Sequence, residues 1–185
     1  KAKAAHVLLG DYPTSEPQLQ LRLPTERYYE EEGRAELTPR DFGILMHRVF
    51  ENAATTDEIY MAIEAMTQDG VLDEKEAPRL RELVEKALAD PVTAEWFGGR
   101  WQVVRNENEI ILPGSGTTRR PDRVMTDGER AVVVDYKFGD RETARHRKQI
   151  REYLRLLRQM GYTRTEGYLW YVRLGRTERV EEKED

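Results

Sequence analysis

No cysteine occurs anywhere in the 185 residues, which removes disulfides, zinc–thiolate sites and cysteine-bound iron–sulfur clusters. Nor is there a GxxxxGK[ST] phosphate loop, so the chain carries no ATP site of that kind. No apolar run approaches the roughly 20 residues that cross a bilayer. The opening Lys1-Ala2-Lys3-Ala4-Ala5 lacks an initiator Met and any hydrophobic segment adequate for a signal peptide. The expectation is a cytoplasmic chain with no membrane partner. Its opening reads as the continuation of a longer polypeptide, of which this is the C-terminal part.

What is present is polar but sufficient for a core: 38% hydrophobic and 35% charged residues, enough chain for one domain with an appended helical piece. The net charge of −5 is unevenly distributed. Between Arg119 and Arg164 there are 13 basic and 7 acidic residues, a local balance of +6, while the remainder carries −11. Phosphate binding responds to the local field, so the basic segment suits a polyanion despite the total.

Residues 1–37 read as irregular, with a loop at Tyr12-Pro13-Thr14-Ser15-Glu16-Pro17. Thr38-Pro39-Arg40-Asp41 opens a helix by N-cap chemistry, followed by an apolar stripe of Phe42, Leu45, Met46, Val49, Phe50 and Ala53. Further helices are expected over 57–68 and about 73–88, where Pro78 implies a late start or a kink. Asp90-Pro91 marks a short turn, so 38–98 is the helical part. From Trp101 the pattern becomes strand-like, at 101–104, 109–112, 117–125 and 131–136. A turn is expected at Pro113-Gly114-Ser115-Gly116 and a hairpin at Thr126-Asp127-Gly128. Gly139-Asp140 breaks the chain, 141–160 is helical, and 166–174 is an aromatic-rich strand, followed by a hairpin to Val180. The order over 99–180 is βββαβ: an α/β (α+β) mixed sheet with a crossover helix, forming one domain with 38–98.

The chemistry concentrates in two places. Asp122 follows a glycine-rich stretch, and Asp135 and Lys137 end the apolar run Ala131-Val132-Val133-Val134. Two apart on a strand, Asp135 and Lys137 share a face, and the hairpin folds the Asp122 segment back beside them. Carboxylate oxygens suit Mg²⁺, which keeps several waters and needs few protein ligands. Lys137 at the edge of such a site can orient a water or stabilise transition-state charge. The alternative is ordinary charges at strand ends. Glu109 is a possible extra carboxylate or an exposed strand charge. Arg141, Arg145, Lys148, Arg151, Arg155 and Arg158 recur at helical spacing, as a phosphate-binding stripe or a solvated face. Trp96, Trp101, Trp170 and Tyr171 read as packing rather than base stacking.

Four motifs stand in a recognisable order: Gly43-Ile-Leu-Met-His47, Pro121-Asp122-Arg123, Val134-Asp135-Tyr136-Lys137 and Gln149-Ile-Arg-Glu-Tyr153. Together, across roughly 38–172, they resemble the PD-(D/E)xK nucleases, and within them the RecB-like domain of AddA/RecB-type helicase–nucleases of the UvrD/Rep superfamily. The resemblance implies a restriction-endonuclease-like αβββαβ core and a metal-dependent DNA exonuclease or endonuclease. Its cofactor would be Mg²⁺ or Mn²⁺, with no iron–sulfur cluster. His47, Asp122, Asp135 and the Tyr136 backbone carbonyl would hold the ion, and Asp122, Asp135 and Lys137 would carry catalysis. Gln149 and Tyr153 would flank the site or touch DNA; beside them Arg123, and Arg145, Lys148 and Arg155 of the basic stripe, are the further DNA-binding or site-flanking candidates. Partners would be DNA, the helicase portion of the same polypeptide, and a second helicase–nuclease subunit, in double-strand-break processing and recombinational repair. The other reading is a catalytically silent nuclease-fold module that binds DNA or docks a partner.

Overall fold

The computed structural model describes residues 38–111, 118–138 and 144–182. The segment 1–37, the turn at 113–116 and the break at 139–140 lie outside the described residues.

Helix α1 (Pro39–Glu51) begins where the capping residues place it. The Thr38 hydroxyl accepts the Asp41 N–H at 3.3 Å, and the Asp41 carboxylate accepts the Thr38 N–H at 2.8 Å, closing a capping box. The predicted stripe, Phe42 through Ala53, is buried. Helices α2 (Thr56–Gln68), α3 (Ala77–Ala87) and α4 (Pro91–Trp96) follow. Pro78 resolves as a late start of α3, since a residue without an N–H fits the first turn. The turn expected at Asp90-Pro91 continues as α4, because the Asp90 side chain accepts the Val92 N–H at 2.8 Å.

Strand β1 (Val103–Asn106) precedes a two-stranded ladder of β2 (Ile110–Ile111) and β3 (Thr118–Arg119). Next come β4 (Arg123–Asp127) and β5 (Arg130–Lys137), then helix α5 (Ala144–Gln159), β6 (Arg164–Tyr171) and β7 (Arg176–Arg179). The main sheet runs β1-β4-β5-β6-β7, antiparallel throughout except for the parallel pair β5–β6 that α5 connects. This is the βββαβ order expected from the sequence. One expected strand, 117–125, is divided between β3 and β4; Pro121 has no N–H to give a ladder. The last aromatic strand also stops early, at Tyr171, where a 3₁₀ turn over Val172–Leu174 leads into β7.

The sheet is covered on both faces, which is why β5 reads as a continuous apolar run. Val132, Val134, Tyr136 and Trp170 pack with helices α1–α4. Ala131, Val133, Leu169 and Tyr171 pack with Ile150, Tyr153, Leu154 and Leu157 of α5. Each large apolar side chain so buried contributes about 1.5–3 kcal/mol. Trp96, Trp170 and Tyr171 are core residues.

Gly167 sets how closely α5 approaches the sheet. A Cβ there would stand 2.4 Å from Ile150 Cγ2 and 3.1 Å from Leu154 Cδ1. Gly167→Ala is therefore expected to destabilise the protein by about 1–3 kcal/mol through overpacking. Denaturant unfolding checks this, and an unchanged midpoint would show that the helix shifts at no cost.

Candidate active site

Asp135 and Lys137 project from the C-terminal end of β5, on the same face, and the Lys137 ammonium pairs with Asp135 Oδ2. Asp122 lies just before β4. The antiparallel register pairs Arg123 with Val134, which carries Asp122 alongside Asp135, and the Tyr136 backbone N–H donates to Asp122 Oδ2. The hairpin inferred from Thr126-Asp127-Gly128 thus does what the spacing required of it; Gly128 takes the turn with φ +56°.

His47 arrives from α1. Its Nε2 is 4.0 Å from Asp122 Oδ1 and 3.5 Å from Glu107 Oε1, while Nδ1 is 3.7 Å from Glu51 Oε2. One ligand atom each from His47, Glu107 and Asp122 lie within 4.8 Å of one another. His47 is 38% exposed, so it is not a core residue. Gly43, one turn earlier, explains the spacing of its motif: a Cβ there would meet Phe138 Cβ at 3.2 Å, so glycine lets α1 sit close to the end of β5.

Glu107 is the member that sequence reasoning missed. Its backbone has φ +53°, the sole positive φ at a non-glycine among the described residues. Its N–H donates to the Asp122 carbonyl at 3.0 Å. Arg120 Nε holds its other carboxylate oxygen at 2.8 Å. Left-handed backbone is unfavourable for a residue with a Cβ, and here it accompanies a carboxylate aimed at His47. The signal in the sequence was Asn106-Glu107-Asn108, where apolar alternation breaks between turn-forming residues. Glu109, the carboxylate chosen from the sequence, is exposed and lines a different groove with Met160 and Tyr162; it is not in the cluster.

Arg123 also departs from expectation. It is fully buried and donates to the carbonyls of Ala53 (2.7 Å), Ala54 (2.8 Å) and Trp96 (2.7 Å), and to Asn106 Oδ1 at 3.2 Å. Its guanidinium stacks 4.0 Å from the centroid of Phe97. A fully buried side chain whose two terminal guanidinium nitrogens are bound to carbonyl oxygens offers DNA no surface. It instead ties the end of α1, the end of α4 and the Asn106-Glu107 corner to the residue following Asp122.

On α5, Gln149 Nε2 donates to the Tyr153 hydroxyl at 2.8 Å. Tyr153 is 1% exposed, and burial pushes its phenol up to about 12. It therefore stays protonated near Asp135 and Asp122 and offers no exposed surface to a strand. His146, one turn before Gln149 and unremarked in the sequence, has a pKa lowered by burial and by the Lys137 charge. Arg145, Lys148 and Arg155 are exposed, as a phosphate-binding stripe requires. Arg147 is paired with Glu178, Arg151 Nε donates to the Glu181 carbonyl at 3.2 Å, and Arg158 meets Glu182 at 2.5 Å.

The electrostatics favour a cation. Burial, then the charge of Asp135, push Asp122 up to about 8, against the Tyr136 N–H and Lys137, with Glu107 adding to the rise. Two oxygen donors and an imidazole match Mg²⁺ and, better, Mn²⁺, so the residues fit a divalent ion. A carboxyl whose folded pKa lies above its unfolded value gives stability that is present below pH 4 and lost as pH rises through 8. The metal-free protein should consequently lose melting temperature from pH 5 to pH 9, and the gain on adding Mn²⁺ should grow over that range, because ion binding displaces the proton. Asp122→Asn should flatten both trends. Parallel metal-free and Mn²⁺ curves across this range would place the ion elsewhere.

The sequence from residue 18 to residue 185 matches the family model of the PD-(D/E)XK nuclease superfamily. This chain belongs to that superfamily, and its mixed sheet with flanking helices is the restriction-endonuclease-like fold the motifs implied. No curated protein gives a significant sequence match. Superfamily members are typically nucleases that use divalent metals, with DNA as substrate. Among the described residues no helix is long and apolar enough to cross a membrane.

Proposed function

We propose that residues 38–180 act as one metal-dependent DNA nuclease domain, an exonuclease module of a UvrD/Rep-type helicase–nuclease working in the cytoplasm on double-strand breaks for recombinational repair. The observation that carries the nuclease reading is the meeting of His47, Glu107 and Asp122 beside the Asp135–Lys137 pair. The helicase association rests on the resemblance of the four motifs to the RecB-like branch. A second helicase–nuclease subunit would be the further partner.

In this reading His47, Glu107, Asp122 and Asp135 hold Mg²⁺ or Mn²⁺, with the Tyr136 carbonyl completing the set. The ion supplies charge neutralisation at the phosphoryl group and lowers the pKa of water. Lys137, 19% exposed and one strand position pair from Asp135, orients the attacking water and stabilises the charge that develops on the phosphate oxygens. Gln149 and Tyr153 fix the α5 wall behind Lys137. Arg123 acts through the backbone, holding the elements that deliver three of the ligands.

Hydrolysis of linear DNA by the purified chain, with Mg²⁺ or Mn²⁺ against EDTA, tests the reading. Metal-dependent cleavage that disappears in Asp122→Ala/Asp135→Ala supports it. Binding of DNA without cleavage in either metal would instead make this a silent docking module.

A further inference from the structure

We propose that the groove on the outer side of α1 is a second phosphate-binding track, along which a nucleic-acid strand runs away from His47. The proposal rests on the nuclease reading above and names where its substrate lies. The groove, of about 750 Å³, is lined by Arg40, Ile44, His47 and Arg48 of α1 and by Phe138 and Arg173. Arg40, Ile44 and Arg48 recur every four residues, so they form one stripe along the helix. None of the four sequence motifs contains these arginines.

Charge and exposure define the occupant. Arg40 and Arg173 are exposed and Arg48 is half-buried. Among the described residues no carboxylate pairs with Arg40 or Arg48. Glu51 is the one acid in the lining, and it sits at the His47 end, 3.7 Å from Nδ1. The guanidinium groups of Arg40 and Arg48, which no carboxylate among the described residues neutralises, select a polyanion. Ile44, 49% exposed, and Phe138 add apolar surface to the lining of the same groove. Alternating phosphate and apolar contacts match a single strand, whose sugars and unpaired bases can lie on apolar surface. A neutral peptide would leave Arg40 and Arg48 unmatched.

The α1 track and the exposed α5 residues Arg145 and Lys148 belong to different elements that both reach the site. The strand then crosses the cluster between them, and phosphates on both sides of the scissile bond are held.

The test is equilibrium binding of an oligothymidine strand in Ca²⁺, over a range of salt, for the full chain and for Arg40→Ala/Arg48→Ala. Loss of two phosphate contacts should reduce the slope of log affinity against log salt by about 1.4 and weaken binding about tenfold near 0.15 M salt. Ile44→Glu, on an exposed position, should weaken binding at least as much without lowering the melting temperature. A wild type that binds and cuts DNA, with both variants showing its affinity and slope, would overturn the α1 track and leave the nuclease reading standing. A wild type that neither binds nor cuts DNA would overturn both.

Discussion

Lys137→Ala is expected to lower DNA cleavage by about 10²–10⁴-fold, the range in which water activation and transition-state charge stabilisation fall. Ion binding should survive, since an ammonium is not a ligand. The geometry sharpens this: Lys137 pairs with Asp135, and its charge helps to hold down the pKa of Asp122. Removing it leaves more uncompensated negative charge around the cluster, so Mn²⁺ affinity should stay level or increase while turnover collapses. Single-turnover cleavage at saturating metal, paired with Mn²⁺ titration of the same variant, separates the two effects. Turnover near the wild-type rate would remove Lys137 from the chemistry. A parallel loss of Mn²⁺ affinity would mean that the Asp135–Lys137 pair supports the ligands instead.

The parts of this site that were legible in the sequence are those fixed by local periodicity. Asp135 and Lys137 share a face because a strand alternates. Asp122 joins them because Gly128 closes a tight hairpin. His47 enters through the resemblance of its GxxxH motif, because a lone histidine beside an apolar helical stripe reads by itself as core. The relations among Asp122, Asp135 and Lys137 involve few residues and follow from backbone geometry. Arg123 shows where that reading ends. In the sequence it is a cation beside a candidate metal-binding acid, so a DNA contact is the natural inference. Its true partners, Ala53, Ala54 and Trp96, are 70, 69 and 27 residues away, and they engage it through backbone carbonyls, which carry no sequence signature. The α5 stripe divides for the same reason: Arg151 and Arg158 are drawn to the C-terminal Glu181 and Glu182, while Arg145, Lys148 and Arg155 stay exposed.

Glu107 against Glu109 offers the most discriminating test of the ligand set. The two carboxylates are two residues apart and chemically identical, and strand alternation would put both on one face. The positive φ of Glu107 breaks that alternation and turns its carboxylate to within 3.5 Å of His47 Nε2, whereas Glu109 lies toward the far end of α5. Glu107→Gln keeps the shape and the Arg120 contact but removes the charge. Hard cations bind in proportion to the ligand charge a site presents. The variant should therefore lose about 100-fold or more in Mn²⁺ affinity, at least the upper range for second-shell changes at metal sites. The same loss should show as a smaller rise in melting temperature on adding Mn²⁺. Glu109→Gln should match the wild type in both measurements. If the two variants gave equal metal responses, Glu107 would hold only Arg120, and the ion would rest on His47, Asp122 and Asp135. Asp122 loses one source of its raised pKa in the Glu107→Gln protein, so the metal-free stability of that variant should fall less between pH 5 and pH 9 whichever way the metal result goes.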